Sequence, residues 1–310
     1  MDGFSMTEKK RVVALGFFDG VHIGHAALMS RVLEIGADND LIPSVLTFDA
    51  HPDSVISGNT VPLINSPEDR TDLIRREFGI DDIILLHFDK ETSEIPWDRF
   101  IDQLIGEYGA SHLVAGHDFR FGSGGKGNTG LLAKKCAESG IGCDVIPEVL
   151  YNGKVVSSTY IRELISEGDI ELANRLLGHP HVLTDIVQYG NRLGRRLGAP
   201  TINLNVRENV INPAFGVYAT IVILDDGSRH IGVTNVGVRP TVDNTGRVTA
   251  ETHILNYRGD LYGQKIRTEF HKYLRPEVKF SDMDTLKTQI RQDCESAQRY
   301  FNEKRIMPHE

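Results

Sequence analysis

From Arg11 to Pro147 the chain repeats one pattern: a short apolar run, an amphipathic stretch, then a turn. The runs at 12–15, 44–48, 83–86 and 112–115 are largely unbroken by alternating polar positions, as strands buried on both faces require. Strands of this kind separated by helices predict a doubly wound, Rossmann-like α/β domain with a parallel sheet. Helix starts are legible as well. Ser66 can cap, Pro67 fits the first turn, and Glu68 and Asp69 suit the positive helix end. A further helix begins near Thr129, and two short ones cover about 159–167 and 170–176 before Gly178-His179-Pro180 breaks the pattern.

Beyond that break the texture changes. Residues 217–224 alternate, Asp225-Asp226-Gly227-Ser228 is a turn, and 231–236, 251–256 and 266–270 are further β segments. Together they predict a small antiparallel β-barrel, closed by a helix over about 283–301. The expected division is 1–178 for the α/β domain and 179–310 for the barrel, and 310 residues suffice for two cores.

Composition narrows the function classes. Hydrophobic residues make up 40% and charged residues 25% of the chain, which is ordinary for a folded soluble protein. No apolar run approaches the roughly 18 residues of a membrane helix and the start is polar, so a cytoplasmic protein without membrane contact is expected. Cys136, Cys143 and Cys294 form no CxxC pair, which argues against a zinc site, a disulfide scaffold or thiol redox chemistry. The net charge of -9 argues against nucleic-acid binding. Its distribution is uneven, with 16 basic and 28 acidic residues up to Gly178 and 18 and 15 beyond it.

Candidate chemistry begins where the first strand ends. Gly16-Phe17-Phe18-Asp19-Gly20-Val21-His22-Ile23-Gly24-His25 leads into the first helix. Two histidines three residues apart at a helix N-terminus can address a phosphate chain, and Gly20 and Gly24 allow close backbone approach. Such a pair can equally cap the helix or face solvent. Its place beyond the carboxyl end of a strand favours the ligand reading, because open α/β sheets bind ligands there.

The HxGH element of His22, Gly24 and His25 resembles the signature of the nucleotidyltransferase superfamily. The longer segment 16–25 is similar to bacterial bifunctional riboflavin kinase/FMN adenylyltransferases, also called FAD synthetases. Thr47-Phe48-Asp49-Ala50-His51-Pro52, Gly116-His117-Asp118-Phe119-Arg120-Phe121-Gly122 and Ser157-Ser158-Thr159-Tyr160-Ile161-Arg162 match family segments in family order, and the likeness spans about 11–300.

The resemblance implies two ATP-dependent reactions, riboflavin to FMN and FMN to FAD with release of pyrophosphate, both with Mg2+. For adenylyl transfer it implies Gly16, Phe18, Asp19, Gly20 and Gly24 around the nucleotide, with His22 and His25 on the ATP phosphates. Ser158, Thr159 and Arg162 become a second phosphate grip, and Asp118, Phe119 and Arg120 become nucleotide and flavin contacts. FMN's phosphate is already a nucleophile, so alignment and charge neutralisation suffice. The rings at 119 and 121 also suit plain core packing. Ser123-Gly124-Gly125-Lys126-Gly127 is a glycine-rich loop without Walker spacing.

For the kinase half, Gly194-Arg195-Arg196-Leu197-Gly198-Ala199-Pro200-Thr201-Ile202-Asn203 is similar to a riboflavin kinase stretch. The resemblance implies Gly194, Arg195 and Asn235 in ATP or flavin binding, Thr201 and Asn203 as magnesium ligands, and Glu251 as the base. Neutral oxygens suit magnesium, which takes its charge balance from phosphates, and phosphoryl transfer to a hydroxyl needs a proton acceptor. A lone Glu on a strand face is otherwise simply solvated. Leu274-Arg275-Pro276-Glu277-Val278-Lys279-Phe280 also matches a family segment, though Arg275 and Glu277 can as easily be a solvated pair of little energetic value.

The chain departs from the family pattern at Asp185, Tyr189 and Ala199, where glycine, histidine and phenylalanine are usual, and at Tyr160, often Arg. A carboxylate at 185 is expected to act against a loop closing over phosphates unless magnesium or Arg195 offsets its charge. That leaves a second reading, an FMN adenylyltransferase carrying a weak or inactive flavin-binding barrel. A third, a non-enzymatic flavin sensor acting on RNA or a protein, has no RNA-binding signature behind it.

Overall fold

The computed structural model describes residues 10–188, 201–238 and 248–306. By contacts the chain divides into two units, Met1–Leu63 with Arg70–Ser157, and Ile64–Asp69 with Ser158–Glu310.

The first unit alternates strands and helices: β1 (Arg11–Leu15), α1 (Ile23–Asn39), β2 (Ile42–Phe48), α2 (Pro52–Ser57), α3 (Pro67–Phe78, whose first turn belongs to the second unit), β3 (Asp82–Leu86), α4 (Lys90–Ser93), α5 (Trp97–Gly106), β4 (Ala110–Gly116), α6 (Thr129–Glu138), β5 (Gly142–Ile146) and a hairpin of β6 (Leu150–Tyr151) and β7 (Lys154–Val155). The strands β3-β2-β1-β4-β5 form one parallel sheet in that order. The direction of winding reverses between β1 and β4, which opens a crevice at their carboxyl ends. Val12, Val13 and Ala14 on the central strand are fully buried, as a strand covered on both faces demands.

Ser66 accepts the Asp69 amide at 3.1 Å at the start of α3, as its position in the sequence suggests. The strand β5 carries no clear sequence signal because Asp144 interrupts its apolar run. That carboxylate is held by Arg31 of α1 at 2.6 Å.

The second unit contains α7 (Ser158–Glu167), α8 (Ile170–Leu177), β8 (His181–Ile186), β9 (Thr201–Asn205), β10 (Gly216–Ile223), β11 (Arg229–Val238), β12 (Val248–Ile254), β13 (Lys265–Arg275) and α9 (Met283–Lys304). The strands run β8-β13-β10-β11-β12-β9, all antiparallel. A bridge between Gln188 and Asn203 joins the two edges, with the Gln188 N–H donating to the Asn203 carbonyl at 2.9 Å. Closure leaves fewer free strand edges, and the predicted barrel is found.

Alternation sorts its two faces. Thr220, Thr234 and Thr252 face inward and link hydroxyls at 2.8 Å, which satisfies buried polar atoms. Val217, Ala219, Ile221, Ile223 and Val233 face outward and pack against Ala297, Tyr300 and Phe301 of α9. The short helices α7 and α8 lie in this unit. The side-chain amide of Asn174 in α8 donates to the Phe270 carbonyl at 2.7 Å, and its oxygen accepts from the His181 N–H at 2.8 Å.

Candidate active sites

Between β1 and α1 the backbone takes an unusual course. Phe18 (φ 57°), Gly20 (φ 80°) and Val21 (φ 47°) all adopt left-handed conformations, and for a β-branched residue such as Val21 that geometry is strained. The result is a 3-10 turn at Asp19–Val21 delivering His22 to the N-cap of α1. There His22 Nδ1 accepts the His25 N–H at 3.3 Å, and the two rings stack at 3.6 Å with planes 16° apart. Phe18 is buried and presents an edge to the His25 ring at 5.2 Å.

The glycines here serve packing as well as access. A Cβ at Gly24 would meet the His22 ring at 3.0 Å, and one at Gly16 would meet the Phe18 ring at 2.8 Å. Asp19 is buried beneath the turn. His25 Nδ1 is sealed from solvent with no hydrogen-bond partner. Burial, then the neighbouring His22 and Arg70, hold the His25 pKa well below the ordinary histidine range. The imidazole is therefore neutral at neutral pH and can donate or accept one hydrogen bond.

The loop after β4 stands on the other side of the crevice. Asp118 and Arg120 are exposed and Phe119 is half-buried. Phe119 stacks on Phe121 at 5.3 Å, and both rings line a cavity of about 190 Å3 together with Phe48, Phe88, Arg120 and Gly122. Phe119 is thus both packed and facing open space. Gly122 (φ 70°) is obligatory, since a Cβ would lie 2.5 Å from the Trp97 Cα. At the end of β2, Asp49 accepts the Phe88 N–H at 3.0 Å and pairs with His87 at 2.7 Å. Burial pushes its carboxyl up, but these bonds prevail and hold it below its usual value.

Ser158 and Thr159 open α7 in the second unit, and Arg162, one turn on, donates to Thr159 Oγ1 at 3.1 Å. The structure therefore places this trio on one helical turn.

In the barrel, register aligns the expected kinase residues. Asn203 of β9 pairs with Glu251 of β12, Glu251 with Asn235 of β11, Asn235 with Val217 of β10, and Val217 with Arg275 of β13. Directly paired residues share a face, so one rung crosses five strands. Beside it, under α9, is a cavity of about 270 Å3 lined by Thr201, Asn235, Glu251, His253, Arg275 and Phe280 among others. A second, of about 140 Å3, is lined by Thr201, Ile202, Tyr257, Arg258 and Asp260. Thr201 borders both. Asn203 Oδ1 is a buried acceptor without a partner. Gly194 and Arg195, with Tyr189 and Ala199, lie outside the described residues.

Two expectations are corrected here. Arg275 and Glu277 are not a solvated pair: Arg275 forms a two-bond fork with the buried Asp293 of α9, at 2.9 and 2.8 Å, while Glu277 accepts from Asn235 Nδ2 at 2.9 Å. Nearness in sequence suggested the wrong partners, because each side chain is taken by a residue of another element, Asp293 of α9 and Asn235 of β11. Nor does Asp185 stand merely as an opposing charge, since its carboxylate accepts the Asn205 N–H at 2.9 Å and helps join β8 to β9. The sequence reading also overlooked His253, Phe280 and Arg70, although the spacing of Arg70 with Leu73 and Ile74 puts it on the apolar face of α3.

Comparison with known proteins agrees with this architecture. Residues 5–160 match the FAD synthetase family model and residues 177–301 the riboflavin kinase family model. The bifunctional riboflavin kinase/FMN adenylyltransferase of Listeria monocytogenes is 32% identical, over 95% of this chain and 94% of its own length. That of Bacillus subtilis is 34% identical over the same shares, 95% and 94%, and that of Escherichia coli K12 is 34% identical over 94% and 92%. A crystal structure described as a macrolide-efflux protein from Streptococcus pneumoniae superposes with a TM-score of 0.82 at 28% identity, covering 94% of this chain and 95% of that one. The chain belongs to the bifunctional riboflavin kinase/FMN adenylyltransferase family. No described helix is long and apolar enough to cross a membrane.

Proposed function

We propose that this chain phosphorylates riboflavin to FMN and adenylylates FMN to FAD, acting in the cytoplasm, with residues 1–178 serving the second reaction and 179–310 the first. The observation that carries the reading is the rung that puts Glu251 opposite Asn203 and beside the 270 Å3 cavity. It gives the barrel a carboxylate, an unpartnered oxygen and room for an aromatic substrate.

In the kinase step, riboflavin occupies the larger cavity and ATP the smaller one, their reacting ends meeting at Thr201. The terminal ribityl oxygen attacks the γ-phosphorus, the bond to the β–γ bridging oxygen breaks, and Glu251 takes the hydroxyl proton. Thr201 and the free Asn203 Oδ1 suit a magnesium ion and would hold it. Such an ion, when bound, neutralises charge on the transferring phosphates. Asn235 and Arg275 position the flavin side, with Gly194 and Arg195 assigned to ATP.

In the adenylyl step, an FMN phosphate oxygen attacks the α-phosphorus of ATP and pyrophosphate departs with the bonding pair. His22, His25 and the start of α1 receive the triphosphate, with Gly16, Phe18, Asp19, Gly20 and Gly24 shaping that turn. Ser158, Thr159 and Arg162 donate to departing pyrophosphate. Phe119 and Arg120 border the 190 Å3 cavity assigned to FMN, and the exposed Asp118 precedes them on the same loop.

Asp185, one of the three departures behind the inactive-barrel reading, has a structural role at the barrel seam. The test is a time course from riboflavin, Mg2+ and ATP, with riboflavin, FMN and FAD separated chromatographically, beside a run started from FMN. FAD from both runs is expected. FAD from the FMN run alone would remove the kinase activity, and no product in either would remove both.

A further inference from the structure

Among the described residues the largest fully buried side chain is a cation. Arg70 of α3 is inaccessible to solvent, where an unpaired charge is costly and survives only with compensating bonds. Its compensation is backbone. One terminal guanidinium nitrogen donates to the Phe17 carbonyl at 2.8 Å and the other to the Phe48 carbonyl, while Nε is buried without a hydrogen-bond partner. Phe17 leaves β1 toward the histidine turn, and Phe48 ends β2 where the chain leads to His51. One rigid planar fork thus ties together the exits of two adjacent parallel strands.

The ring contacts continue the arrangement. The guanidinium carbon lies 4.3 Å from the centroid of the Phe17 ring, and that ring meets His51 edge-on at 4.8 Å. Thr47 Oγ1 also donates to the Phe17 carbonyl at 2.8 Å. Burial lowers the Arg70 pKa to about 10, against the pull of Asp19 and Asp49, so the group stays charged at neutral pH. Its charge is one reason His25 binds a proton weakly.

We propose that Arg70 is a positioning residue for adenylyl transfer: it clamps the carboxyl ends of β1 and β2 so that the His22–His25 turn is held fixed for an incoming triphosphate, and it supplies a buried positive charge beneath that turn. The inference rests on reading this turn as the adenylyl site. A permanent cation placed there leaves the histidines free to act as neutral hydrogen-bonding groups, and the positive field does not depend on their protonation.

The test compares Arg70→Gln and Arg70→Lys in the full chain, following FAD formation from FMN and ATP across pH, with riboflavin phosphorylation measured on the same preparations as a control for intact protein. Other titratable groups around the turn, His22, His51, Asp19 and Asp49, are unchanged in both variants. Arg70→Gln should lower kcat for FAD formation about 100-fold with a smaller change in KM. It should also move the acid limb of the profile to higher pH, since Arg70, after burial and His22, is one of the influences that hold down the proton affinity of His25. Arg70→Lys keeps the charge but cannot bond both carbonyls, so kcat should fall about tenfold with the limb in place.

A wild-type kcat in Arg70→Lys would overturn the clamp, even if Arg70→Gln fails to fold. An acid limb in the same place in a folded Arg70→Gln would overturn the electrostatic part. His25→Ala separates this inference from the reading beneath it: if that variant still makes FAD at the normal rate, the site assignment fails. If it makes none while both Arg70 variants behave as wild type, only the role of Arg70 fails.

Discussion

In the first unit the groups proposed for chemistry lie on turns beyond the strand ends, whereas in the second Asn203, Glu251 and Asn235 lie on the strands themselves. The turn has no ladder to fix it. It relies on left-handed residues at 18, 20 and 21, on a stacked histidine pair and on a buried guanidinium. The barrel needs none of these, because register aligns its groups across strands about 4.8 Å apart. A turn can bring backbone N–H groups to a phosphate, while a rung can place a single carboxylate at the mouth of a cavity. Each device suits the reaction assigned to it.

The strongest way to break the comparison is a crossed pair of substitutions. His25→Ala should reduce FAD formation at least about 100-fold and leave riboflavin phosphorylation intact, and Glu251→Gln should do the reverse by a similar factor. Product analysis of both reactions on each variant checks this. Equal loss of both activities in either variant would show that the two sites are not separable.

A smaller effect is expected where the rung ends. Arg275 closes it and is forked to Asp293 of α9, which also forms a wall of the larger cavity. Arg275→Met leaves a buried carboxylate without its cation. Because Arg275 itself is partly exposed, we expect a loss of about 1–2 kcal/mol in stability. The KM for riboflavin should rise while adenylyl transfer holds. Denaturant titration and paired kinetics measure this, and an unchanged riboflavin KM would separate α9 from the substrate cavity.

The smallest effect concerns acid. In each unit a sealed imidazole binds protons less readily than in the unfolded chain: His25 in the first and, through burial and then His179, His181 in the second, pushed down to about 3. Protons therefore favour the unfolded state. Stability is complete above the unfolded histidine value of about 6.5 and declines as pH falls from there toward the folded values. His181→Phe should flatten the decline of Tm between pH 7 and pH 5. A slope equal to that of the unaltered chain would show that this imidazole does not govern acid sensitivity.

Apolar periodicity alone revealed the parallel sheet, the outer face of β10 and the last helix, because burial on one or two faces writes itself into residue order. The paired histidines were legible for a similar reason, as the end of a strand and the start of a helix are both local features. Glu251 and Asn203 were visible individually through family likeness, but a lone carboxylate on a strand has no local mark of function. What tertiary structure decided was pairing. It set Glu251 against Asn203, gave Arg275 to Asp293 instead of Glu277, turned Asp185 into a seam contact and buried Arg70 under the histidine turn. Residues up to about a turn apart are related by local geometry, which sequence carries directly. Partners that lie tens of residues apart meet only when strand register and helix packing bring them together, and that information belongs to the whole fold.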